Sequence, residues 1–282
     1  MKIDHVSIAW SDLAFLQTAF EKVSLKTDYG GVHSNGITHM SILGFNDGSY
    51  IELISVLKPG TRSSSWEMQI AENGGPCAWA VEVNDLTAEV ERIKRLGIQT
   101  VGPDDYNRRR PDGVLVEWQL AFIGDDEPGA TLPFLIKDKT PREYRVKPSV
   151  SVSSTDLIGV THVILSVKDL DETVKLFRKV YGWKEQLRNN EIEGVFDGAD
   201  LAAFEGSPVV LASPGDNNNS WLAKRLEQFG PSPCSFLIGT KSLSESRSRY
   251  RLTNKQAWIG GSKNVAWIPS AELGGINLGF LG

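Results

Sequence analysis

Polar and apolar residues alternate from the first residues of the chain. Val6, Ile8 and Trp10 fall on one side of an extended segment, and His5, Ser7 and Ala9 on the other, which predicts a strand with one buried face. Ser11 or Asp12 can cap the next element, whose apolar positions Leu13, Leu16, Phe20 and Val23 recur at helical spacing. Asp85 precedes a second such helix carrying Leu86, Val90, Ile93 and Leu96, and Gly97 is placed to end it. Between the two helices, residues 39–45 alternate again, Asp47-Gly48 offers a two-residue turn, and residues 49–56 return as a strand. That turn sets Leu43 opposite Glu52. It predicts that His39 and Ser41 share a face with Tyr50 and Glu52, with Met40, Ile42, Ile51 and Leu53 on the other. Gathered over all strands, the polar set His5, Ser7, His39, Ser41, Tyr50, Glu52, Glu82, Glu117 and Gln119 would line the concave side of a curved, half-open sheet. The apolar faces would pack under helices.

The pattern then repeats. His5-Val6-Ser7-Ile8 returns as His162-Val163-Ile164-Leu165, and the same offset of 157 residues relates Phe20 to Phe177, Pro76-Cys77 to Pro233-Cys234, and Leu86 to Leu243. The second half is a duplicate of the first. Within each half, Ala78 to Leu86 repeats the opening rhythm of an alternating strand, Asp-Leu and a helix, so modules start near residues 2, 77, 159 and 233. The Pro- and Ser-rich stretch from Lys139 to Leu157 has linker composition.

Composition narrows the field further. A chain of 282 residues, 40% hydrophobic, carries apolar material for two cores. Its net charge of -5 argues against nucleic acid or an anionic membrane as partner. No apolar run reaches bilayer length, and the N-terminus reads directly as a strand. Cys77 and Cys234, with no CxxC spacing, suggest reduced, buried thiols in a cytoplasmic protein.

The opening Asp-His-Val strand with its Asp-Leu helix, His33 and Gly36, and Gly48-Ser49-Tyr50-Ile51-Glu52-Leu53-Ile54 resemble a glyoxalase-like domain of the vicinal oxygen chelate superfamily. So do Arg110-Pro111-Asp112-Gly113, Glu117-Trp118-Gln119-Leu120 and Pro133-Phe134-Leu135-Ile136. The resemblance implies an α+β fold of four tandem βαβββ modules, paired into two glyoxalase-like domains whose curved mixed sheets form open cups. The boundaries expected are 1–138 for the first domain (modules 1–76 and 77–138), 139–157 for the linker, and 158–282 for the second (modules 158–232 and 233–282).

Metal-using members of that superfamily take ligands from the first and fourth strands of each module. Here the resemblance offers His5 and Glu52, with Ala78 and Leu135 at the matching positions of the second module. In the second half His162 remains, but Glu52 maps to Val209 or Val210, and Ala78 to Ser235. His5 and Glu52 could hold one divalent ion (Zn, Ni, Fe or Mn), completed by His39, Glu117 or Gln119. Glu52, Glu117 or Glu82 could act as catalytic base. His39, Tyr50, Arg110 and Gln119 are the candidate substrate-binding residues, Arg110 as a guanidinium fork for an anion. His162 reads as a satisfied pocket histidine, and Trp66 and Trp221 as packing residues. Two functions stay open. One is a metal-dependent lyase, isomerase or dioxygenase acting on a small molecule; the other is a metal-free protein that binds or sequesters one. Dimerisation through sheet edges is a third role for the same surfaces.

Overall fold

The computed structural model describes residues 1–183, 187–189 and 194–282. Eight strands of the first half form one sheet: β1 (Ile3–Ala9), β2 (Asp28–Val32), β3 (Thr38–Gly44), β4 (Tyr50–Val56), β5 (Gly75–Glu82), β6 (Thr100–Arg109), β7 (Leu115–Ile123) and β8 (Phe134–Asp138). Their order is β2-β3-β4-β1-β5-β8-β7-β6, so the first strand of each module pairs with the other at the centre. The second half repeats this with β9 (Leu157–Ser166), β10 (Leu187–Asn189), β11 (Asp200–Ala203), β12 (Val209–Ser213), β13 (Ser232–Thr240), β14 (Gln256–Ala257), β15 (Asn264–Trp267) and β16 (Asn277–Leu281), in the equivalent order. The result is α+β, with two curved mixed sheets and two glyoxalase-like domains.

Helices α1 (Leu13–Lys22), α2 (Glu67–Ala71) and α3 (Leu86–Arg95) belong to the first domain. Asp12 caps α1 by accepting from the backbone N–H groups of Ala14 and Phe15, and Asp85 caps α3 through Ala88 N–H. Leu13, Leu16 and Phe20 of α1 and Leu86, Val90 and Ile93 of α3 bury against Val6, Ile8, Ile51, Leu53, Trp79 and Val81. The same apolar core continues through Val163, Leu165, Phe177 and Phe236, so the two domains share it. Among the described residues no helix is long and apolar enough to cross a membrane.

The β3–β4 hairpin departs from the expected register by one residue. Gly44 pairs with Tyr50 and Ile42 with Glu52, because the loop has three residues, Asn46-Asp47-Gly48, closed by Phe45 N–H to Ser49 C=O at 2.9 Å. Gly48 takes φ 84°, a conformation that opens this loop class to glycine. The shift exchanges the two faces of β3. Thr38, Met40 and Ile42 join Tyr50 and Glu52 on the concave side, while His39 and Ser41 turn to the helix side.

The segment between the domains is strapped down rather than loose. It forms the short helices α4 (Arg142–Arg145) and α5 (Val150–Ser153). Ser149 donates to Asp28 at 2.6 Å and receives Gly44 N–H at 3.1 Å. The strap passes so close to β3 that a Cβ at Gly44 would stand 2.1 Å from the carbonyl oxygen of Lys147. Replacing Gly44 by Ala must push backbone against backbone. Gly44→Ala is therefore expected to lose about 1–3 kcal/mol of stability, read as a lower urea midpoint, whereas Val150→Ser, at an 86% exposed position, leaves the midpoint unchanged.

Candidate active site

The concave side of the first sheet encloses a cavity of about 290 Å³. Its polar wall comes from β1, β3, β4 and the turn after β2. Its opposite wall is aromatic and aliphatic, from β6, β7 and β8: Tyr106, Trp118, Leu120, Phe122, Phe134 and Ile136. Tyr106 and Trp118 sit opposite each other in the β6–β7 ladder and stack at 6.4 Å, and Phe122 meets Phe134 edge-on at 5.9 Å. Trp66 closes the rim, its indole N–H donating to Pro128 C=O at 3.0 Å. It thus borders ligand space as well as packing.

The polar wall is built on Asp4, which has no solvent exposure. Arg145 forks onto both of its oxygens at 2.8 and 2.7 Å, Arg142 donates to one of them, and Asp138 takes the other side of Arg145 at 2.6 and 3.1 Å. Burial opposes the Asp4 charge, but the guanidinium of Arg145, with help from His5, outweighs it and holds the carboxyl well below its usual range. His5 Nδ1 lies 2.6 Å from Asp4 Oδ1. The imidazole is stacked on Tyr50 at 4.6 Å with its edge to Phe134, and the Tyr50 hydroxyl accepts from Arg145 at 3.0 Å. Burial pushes the Tyr50 phenol up, so it stays neutral. With Nδ1 committed to Asp4, Nε2 is the nitrogen of His5 left to the cavity it lines.

Glu52 is the second charged group of this wall. His33 Nε2 donates to Oε1 and Ser7 to Oε2, each at 3.2 Å. His33 is positioned by a tight turn: Gly36 N–H bonds to its carbonyl, Asn35 accepts the N–H groups of Ile37 and Thr38, and His33 Nδ1 is 2.8 Å from Thr38 Oγ1. Burial raises the Glu52 pKa, but the hydrogen bond and charge of His33, the charge of His5 and the Ser7 hydroxyl together bring it down to about 2. Glu52 is an ionised acceptor with both oxygens engaged, not a base poised near neutrality.

Among the residues singled out from sequence, His5, Tyr50 and Glu52 come together here, and five others do not. His39 lies behind the sheet beside Tyr29, on the face the register shift gives it. Glu117 and Gln119 alternate with Trp118, Leu120 and Phe122 and so face away; Gln119 donates to Asp105 at 2.9 Å. Arg110 bonds Asp112 and Tyr144 C=O and borders a separate crevice. Glu82 is spent on Lys2 at the surface. On β8, the residues in the cup are Phe134 and Ile136, while Leu135 packs with the helices. Sequence reasoning missed Asp4, Arg145 and the aromatic wall, and placed the guanidinium fork on Arg110 rather than on Arg108. His33 entered only through the family resemblance; the turn signal of His33-Ser34-Asn35-Gly36 could have given it a place in the site.

A divalent ion at His5 and Glu52 does not fit this donor set. Glu52 is occupied by His33 and Ser7, the second module contributes Ala78, Ala80, Phe134 and Ile136, and among the described residues no three His, Cys, Asp or Glu side chains converge on a metal position. The second cup is further from a ligand set. Val210 holds the position equivalent to Glu52, since it pairs with Ile164 as Glu52 pairs with Ser7, and it sits in an apolar cluster with Phe196, Trp258 and Trp267 beside a cavity of about 750 Å³ that reaches His162. Among the described residues no carboxylate bonds to His162. Its Nδ1 is buried without a partner rather than satisfied, and burial, with Lys263, lowers its pKa to about 4.

Comparison with solved structures places the fold. A hypothetical protein from Staphylococcus aureus aligns with 99% of this chain and 98% of its own, at a TM-score of 0.62 and 17% identity. A variant of 4-hydroxymandelate synthase from Streptomyces coelicolor aligns with 99% of this chain and 91% of its own, at a TM-score of 0.65 and 12% identity. No curated protein matches the sequence. The glyoxalase-like domain family matches residues 3–181, which take in the whole first sheet and the start of the second, and the chain belongs to that family.

Proposed function

We propose that the first-domain cup binds a small organic molecule and that His5 Nε2 exchanges a proton with it, with no resident metal taking part. The observation that supports this is the Asp4–His5 pair: a buried, ionised carboxylate at 2.6 Å fixes one ring nitrogen and leaves the other to a 290 Å³ cavity. Because Asp4 is neutralised by Arg145 and Arg142, its part is to orient the ring and stabilise the tautomer. Glu52, ionised and held by His33 and Ser7, offers an acceptor for a substrate hydroxyl only where one of those donors is displaced. The aromatic wall excludes water from the face opposite His5. An isomerase or lyase working by proton transfer suits this arrangement better than the metal-dependent readings, which need donors the cup lacks. Sequestration without turnover is the second reading, favoured by the large aromatic share of the lining.

Two outcomes follow. Incubated in D2O with 2-hydroxyacetophenone and dihydroxyacetone after EDTA treatment, the protein should catalyse exchange of the carbon-bound proton next to the carbonyl, and His5→Gln should slow it by roughly 10²–10⁴-fold. Exchange that survives in His5→Gln removes the role of His5, and a wild type that binds these compounds without exchanging them establishes sequestration instead. The second outcome concerns Glu52. Its folded pKa lies below that of the free side chain, so its contribution is complete above about pH 4.5 and is lost as pH falls toward 2. Urea unfolding should show wild type ahead of Glu52→Gln by about 2–3 kcal/mol at pH 6, shrinking steadily through pH 4 and 3. A difference independent of pH would contradict an ionised Glu52 in the folded protein.

A further inference from the structure

Charge balance in the cup indicates the class of molecule it receives. Arg145 is offset by Asp4 and Asp138, and Glu52 is bonded to His33. Arg108 is different. It projects from β6 beside Tyr106 and is 4% exposed, yet its guanidinium donates only to two backbone carbonyls, Gly30 at 2.6 Å and Arg145 at 3.1 Å. Among the described residues no carboxylate forms an ion pair with it. Burial presses its pKa down, and the field of Glu52 across the cavity offsets this only in part, with no carboxylate of the described residues in direct contact. Two carbonyl bonds use two of five N–H donors, and a fork of this kind matches a carboxylate in plane.

Arg108 and the aromatic wall line the same cavity, with Tyr106 two residues before Arg108 on one strand and Trp118 stacked against Tyr106. The two features call for two parts of one ligand, a flat apolar body and an anionic head. Of the acidic residues, Glu52 lines the cup with both oxygens taken by His33 and Ser7, while Glu82 is at the surface with Lys2 and Glu117 faces away.

We propose that the first cup selects a small aromatic carboxylate, with its anionic group on the free donors of Arg108 and its ring against Trp118 and Tyr106. This rests on the reading that the cup is the binding site, and it adds the sign of the charge and the planarity of the ligand. Arg108 also ties the two edge strands of the curled sheet, since Gly30 lies on β2, so ligand binding and closure of the cup share one side chain.

Calorimetric titration of the full chain with 2-naphthoate, neutral 2-naphthamide and cationic benzyltrimethylammonium tests this. The naphthoate should bind about ten-fold or more tighter than the amide, with the ammonium weakest. Arg108→Met should remove the preference while still binding the amide, and Trp118→Leu should weaken naphthoate and amide alike. If Arg108→Met does not fold, Arg108→Lys, which keeps the charge without the fork, should retain only part of the preference. Equal or tighter binding of the amide or the ammonium overturns the anion selectivity and leaves the cup as the site. Failure of all three to bind overturns the ligand class, and the His5-dependent deuterium exchange then decides separately whether the cup itself is the working site.

Discussion

A carboxylate with no access to water organises the first domain. Asp4 enters on the central strand β1 and is received by Arg145 and Arg142 from the strap 141 and 138 residues further on, while Asp138 at the end of β8 completes the cluster. A buried ion pair of this kind is strongly destabilising to break from one side, by about 3–5 kcal/mol, so strap, sheet and cup must assemble together. The His5 side of the polar wall leans on it. Asp4 sets the ring of His5, His5 stacks on Tyr50, and the hydroxyl of Tyr50 returns to Arg145. Arg145 in turn lends its carbonyl to Arg108, which reaches Gly30 and draws the outer edges of the sheet together.

The two domains show how a duplicated fold divides its labour. Both keep the central strand pair and the histidine on its first strand, because those positions carry the sheet. Only the first keeps an acidic residue opposite that histidine. In the second, Val210 replaces the acid, Phe196, Trp258 and Trp267 form an apolar cluster beside it, and a cavity of about 750 Å³ still reaches His162. The second domain then serves the first through shared packing and through Arg225, which donates to the carbonyls of Gly74 and Pro76 across the boundary and to Pro233 within its own domain.

Much of this was legible in the chain. The offset between His5 and His162, the Asp-Leu helix starts and the alternation of β1 sufficed for the modules, since helix caps and strand periodicity are local signals. The site was harder to read, for three physical reasons. The three-residue loop at Asn46-Asp47-Gly48 shifts β3 by one position, and one position sends His39 out of the cup and Met40 in. Polarity misleads on β7, because the far wall of the cup is dry and its outer face is wet, so Glu117 and Gln119 lie where apolar residues were expected and Trp118 and Phe122 the reverse. Arg145 meets Asp4 from a segment whose Pro and Ser content reads as a linker, and no local spacing announces a contact across 141 residues.

Proton transfer at this site depends on which nitrogen His5 presents to the cavity. Long-range ¹H–¹⁵N correlation spectra of the His5 imidazole, recorded on the metal-free protein near pH 8, read that directly. The expected result is the Nδ1–H tautomer, with Nε2 unprotonated and the preference lost in Asp4→Asn. An Nε2–H tautomer in the wild type would mean that Asp4 does not hold the ring as described, and the proton-transfer role of His5 would fall with it.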